Sequence, residues 1–235
     1  MQTDNNTLID ELLGLTEHST HAVQKFKALR PDQLNFKTDP KSWSILECLE
    51  HLNLYGDFYL KELEKSLLNQ MPIYPAPPYK SGIIGNYFAN LMKVKNGRIV
   101  KMKTPADKNP AGSQLSVTTI DRFLKQQEML KSLLNQARNI DLVKTKVPIS
   151  LTKYIKLRLG DTFRFFVYHI ERHVLQAENV LKHSNSPKSW ASTGSATGLR
   201  QAQPPGFDKL SHRASTSSAT EAPILNFESN PPSKL

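Results

Sequence analysis

Two histidines, His169 and His173, stand four residues apart in the segment GDTFRFFVYHIERHVLQAENVL, residues 160–181. On a helix that spacing projects both imidazoles from one face, about 6 Å apart. They can then ligate a single ion, as other helical i,i+4 pairs do. At about 100° per residue, the apolar stripe of this segment centres near Phe163, Ile170 and Ala177, with His173 roughly 60° and His169 roughly 100° from it. Both histidines therefore border the buried face, where a cavity wall would stand. His51 lies beside Leu52 and one turn after Cys48, also at the edge of a buried stripe. If its helix neighbours the first, His51 completes a three-histidine site. Spacing alone leaves a plainer alternative open, that of ordinary histidines at helix borders.

The residues around them offer less. Glu47 and Gln176 flank the histidines at helical spacing and are candidates to orient an imidazole or a bound water, or equally to be solvated helix residues. A lone helical cysteine such as Cys48 reads as packing. Trp43 reads as a core anchor at a helix start rather than a substrate platform. His18, His21, His183 and His212 show no partner pattern.

Four amphipathic segments must position these groups. The first runs from about Asp4 to Leu29, with Leu8, Leu12, Leu15, Ala22 and Phe26 on one stripe, and Pro31 stops it. The second opens at Ser42 or Ser44, where a hydroxyl can cap it, and ends before Pro72. The third spans about Ser116 to Ala137, and the fourth runs from Asp161-Thr162 to about His183. With little strand signal, these make an all-α four-helix bundle. The long connection from Met71 to Leu115 is proline-rich, then basic, with a short extra helix expected over Ile83–Met92. A connection of that length points to a cover over a site.

Composition changes after His183. Residues 184–235 hold 11 Ser, 6 Pro, 6 Ala, 4 Thr and 3 Gly, too little apolar surface to offset the entropy of ordering. The expected organisation is a folded domain at 1–183 and a disordered tail at 184–235. Cys48 is the single cysteine, which excludes a disulfide framework within the chain and a cysteine-rich zinc module. The apolar runs are short and broken by charges, so no membrane-spanning helix is expected, and no signal peptide is evident. These features suggest a cytoplasmic protein. A net charge of +10 permits anionic partners without choosing one. The clusters Lys93, Lys95, Arg98, Lys101, Lys103 and Lys144, Lys146, Lys153, Lys156, Arg158 lack a DNA-binding motif and a row of stacking aromatics. A nucleic-acid partner is not expected; a basic nucleic-acid- or ligand-binding protein with a structural metal is the reading from another class. A homodimer stays open.

The segments DPKSWSILECLEHL (39–52) and 160–181 together resemble the DinB-like family, also called the YfiT-like metal-dependent hydrolases. The similar features are Trp43-Ser44 opening a helix, His51-Leu52 within it, and His169-x-x-x-His173 followed by Gln176 and Ala177. The KMKTP segment also looks like members of this family, and the resemblance covers about residues 5–183. It implies an up-down-down-up bundle and a divalent metal held by His51, His169 and His173. Zinc, nickel, iron and manganese all accept histidine ligands. Water at an open position of such a site becomes more acidic, and a thiol there is deprotonated. Some relatives are implied to conjugate low-molecular-weight thiols such as bacillithiol or mycothiol. With no convincing general base beside the histidines, thiol transfer to a small electrophile ranks above hydrolysis of an ester or amide.

Overall fold

The computed structural model of the chain describes residues 1–68, 70–95, 97, 102–150 and 152–185. Helix α1 (Asn5–Phe26) begins where the Asp4 carboxylate accepts the Thr7 amide N–H, satisfying a donor that the first turn leaves without a helical partner. It ends one turn before the expected Leu29. Pro31 does more than stop it: with φ pre-set and no N–H to satisfy, it opens the one-turn helix α2 (Pro31–Leu34). Helix α3 (Ile45–Leu67) starts at Ser44, whose hydroxyl accepts from Glu47 N–H while the Glu47 carboxylate accepts from Ser44 N–H. Helix α4 (Ile83–Met92) occupies the range expected for it, followed by α5 (Thr118–Gln136) and α6 (Leu159–Ser184).

Packing follows the apolar stripes. Helix α3 lies against both α5 and α6, and α1 against the same pair. Leu8 and Leu12 of α1, Leu49 and Leu63 of α3, Phe123 of α5 and Phe163 of α6 belong to one core and have no solvent exposure. This arrangement puts the His51 helix beside the His169–His173 helix.

The chain also holds strands that the helical periodicity did not predict. Strand β1 (Gln2–Thr3) pairs antiparallel with β2 (Tyr79–Lys80), and β3 (Lys146–Ile149) with β4 (Thr152–Arg158). Among the described side chains of the second pair, Val147, Ile149 and Leu157 are the buried ones, while Tyr154 is 97% exposed. So few inward residues give too short an alternation to stand out in the sequence. Lys144, Lys146 and Lys156 are exposed on and beside this hairpin, whereas Arg158 donates to the Lys80 carbonyl. Arg98 and Lys101 of the other basic cluster lie outside the described residues.

A buried polar knot fastens β2 and the start of α4 to α6. The Asp161 carboxylate accepts from the Tyr79 and Ser81 hydroxyls and from Gly82 N–H. Arg164, one turn on, donates to Ser81 and Asn86. Asp161 and Arg164 are 1% and 2% exposed, so each depends on the other's charge and on these hydrogen bonds. Gly85 and Gly160 admit the knot, since a Cβ at either would overlap Asp161 or the Tyr79 ring. Apart from Ser184 and Asn185, which end α6, the tail expected at 184–235 lies outside the described residues.

Candidate metal centre

The structure brings together His51, His169 and His173, whose potential ligand nitrogens all lie within 4.8 Å of one another. Among the described residues they form the one group of histidine, cysteine or carboxylate side chains close enough to hold a metal ion. His51 comes from α3 and the other two from successive turns of α6. His51 and His169 are 2% and 4% exposed, and His173 is the most accessible of the three.

Hydrogen bonds fix how two of the rings present themselves. The Lys108 carbonyl lies 2.7 Å from His51 Nδ1, and Gln176 Oε1 lies 2.9 Å from His173 Nδ1. Both oxygens can only accept, so each Nδ1 carries the proton and each Nε2 keeps its lone pair. His51 Nε2 stands 3.2 Å from His169 Nε2. Two nitrogens bound tetrahedrally at about 2.0–2.1 Å from zinc would be about 3.3 Å apart. The donor set and its spacing therefore fit a divalent ion. His169 Nδ1 is buried without a hydrogen-bond partner, and aromatic packing orients that ring instead.

Electrostatics keep the rings neutral. Burial pushes His51 down to about 4, with the Lys108 charge adding to the effect against its carbonyl's pull. Burial, then the neighbouring His51, push His173 down to about 3. His169 is driven well below the ordinary imidazole range by burial, then by the other two histidines and Arg172. At neutral pH the lone pairs are free for a cation.

Aromatic rings wall the cluster. Trp43 packs against His51 and His173 with ring centroids 4.7 and 5.7 Å away, so it belongs to the site rather than only to the core. Tyr55, one turn after His51, meets His51 and His169 at 4.9 and 4.6 Å. Phe165, one turn before His169, stacks on it at 5.9 Å. The last two could have been found as i+4 and i−4 neighbours of the histidines.

Glu47 does not orient an imidazole. Burial works against its charge, yet Lys37 and the N–H groups of Ser44 and Gly112 hold the carboxyl below its usual range. Its oxygens cap α3 and fasten the 102–115 segment. Cys48 is wholly buried, which pushes its thiol up, and lies outside the histidine group. His18 and His21 line a separate open cleft with Gln24 and Glu128, and His183 bonds the Asn179 carbonyl.

Helices packed around neutral histidine donors define a mostly helical protein with a metal-capable centre. The profile of the DinB superfamily matches residues 15–177, more than half of the sequence, and the chain belongs to that superfamily. No curated protein and no solved structure matches it. No described helix is long and apolar enough to cross a membrane.

Proposed function

We propose that this chain is a metal-dependent enzyme that transfers a low-molecular-weight thiol to a small electrophile. His51, His169 and His173 would hold the ion, and the Lys108 carbonyl and Gln176 would orient two of the rings. A divalent ion there lowers the pKa of a coordinated thiol or water. The observation that favours the thiol is the composition of the group: three histidines and, among the described residues, no carboxylate. Hydrolysis needs a base to take a proton from water, and the nearest sequence candidate, Glu47, is engaged in capping α3. A coordinated thiol is acidic enough to release its proton to solvent without a side-chain base. In this reading the four long helices form an up-down-down-up bundle in a cytoplasmic domain of residues 1–183.

The test loads the purified, untagged protein with zinc, nickel, iron or manganese. It is then incubated with monobromobimane and cysteine, bacillithiol or mycothiol. Metal-dependent appearance of the S-conjugate supports the reading. Cleavage of p-nitrophenyl acetate, with no conjugate from any of the thiols, would favour a hydrolase.

A further inference from the structure

The segment that closes over the histidines brings a cation as well as a carbonyl. The backbone of Lys108 accepts from His51 Nδ1, while its side chain folds inward, only 17% exposed. Its ammonium stands 6.0 Å from the centroid of the Tyr55 ring, and that ring packs on both His51 and His169. A lysine extended into solvent would keep its full hydration and mobility; this one gives up much of both to lie beside the site.

Its ion pair does not use up that charge. Asp107 Oδ2 is 3.3 Å from Lys108 Nζ, but the Asp107 side chain is 70% exposed, so water and salt screen the pair. The three imidazoles beside it are neutral, and among the described residues their group holds no carboxylate. A divalent ion would leave the site more positive still. A poorly solvated site of that sign favours a ligand that brings negative charge.

We propose that Lys108 is a specificity-determining residue, whose ammonium takes the carboxylate of an organic anion while the anion's other end reaches the histidine centre. The inference rests on the metal-centre reading above and adds the charge class of the ligand. It separates two roles in one residue: the carbonyl positions His51, and the side chain selects.

The experiment uses the full chain loaded with cobalt(II), whose ligand-field bands report the metal site and whose sulfur-to-cobalt charge-transfer band reports thiol binding. Two probes share one skeleton: 3-mercaptopropionate and its uncharged methyl ester. The acid is expected to bind about tenfold or more tightly than the ester, a difference of about 1.4 kcal/mol. Lys108→Gln should abolish the preference by weakening only the acid, and Lys108→Arg should retain it. Cobalt stoichiometry should hold in both variants, because the bond to His51 comes from the main chain. Equal affinity of the unaltered protein for acid and ester overturns the inference, as does a preference that survives in Lys108→Gln. A chain that binds no cobalt overturns the metal centre itself and this inference with it.

Discussion

Gln176 Oε1 accepts from His173 Nδ1 at 2.9 Å within the same helix, which leaves His173 Nε2 bare and aimed among the other imidazoles. The partner lies almost one turn on, so the contact forms whenever α6 is helical. Replacing Gln176 with Leu keeps bulk but removes the acceptor. Metal affinity should fall about 10–100-fold, with helical circular dichroism unchanged. Competition titration against a chromophoric chelator measures the loss. Unchanged affinity would show that aromatic packing alone holds the His173 ring.

The histidines themselves should be far less tolerant. His51→Ala, His169→Ala or His173→Ala should each remove most of the bound metal, since two imidazoles make a weak site. His18→Ala, His21→Ala and His183→Ala should leave it in place, because those side chains lie elsewhere. Elemental analysis of untagged protein reads the difference. Stoichiometric metal in the His169→Ala/His173→Ala double variant would eliminate the three-histidine site.

Metal-free protein should lose stability as the medium becomes acidic. His51 and His173 protonate near 4 and 3 in the folded state, against about 6.5 in an unfolded chain. Between those values the unfolded state binds more protons, so stability falls as pH drops below about 6.5. Each histidine contributes a slope of about 1.4 kcal/mol per pH unit, which levels off below its folded value. Urea midpoints at pH 7, 6 and 5 should fall in that order, and more shallowly in His51→Ala/His173→Ala. Equal slopes would mean that other groups dominate the acid response.

Some of this was legible in the sequence because it is local. The His169–His173 spacing needs only a helix, and so does the i,i+4 relation of His51 to Tyr55. Glu47 carries a local signal as well: Ser44-x-x-Glu47 is a capping box, and a carboxylate committed to a helix start has little left for an imidazole. Lys108 was not legible at all. It reaches His51 through a backbone carbonyl, which has no residue-type signature, across 57 residues of chain. Trp43 depends on how α3 meets α6, which no single-helix pattern encodes.

Removing residues 186–235 should leave the fold intact. Asn185 is kept because its side-chain oxygen accepts from Gln33, on α2, at 3.0 Å. The composition beyond it offers little apolar area to bury. The melting temperature of the truncated chain should stay within about 2 °C, which for a domain of this size corresponds to about 0.5–1 kcal/mol at most. A larger drop would show that the tail contributes to stability.

The buried knot gives the sharpest stability prediction. Asp161→Ala removes the acceptor shared by Tyr79, Ser81 and Gly82, and leaves the Arg164 guanidinium buried without its carboxylate. Breaking a buried charge pair from one side costs about 3–5 kcal/mol. Part of that loss should appear locally, because the same contacts fasten β2 and α4 to α6. Limited proteolysis should therefore cut within residues 71–115 of the variant before the rest of the domain unfolds. Asp161→Asn keeps the shape and an acceptor but loses the charge, so it should fall between the variant and the unaltered protein. If Asp161→Ala unfolds in one transition, with no early cleavage in that segment, the knot stabilises the whole domain rather than locally fastening β2 and α4.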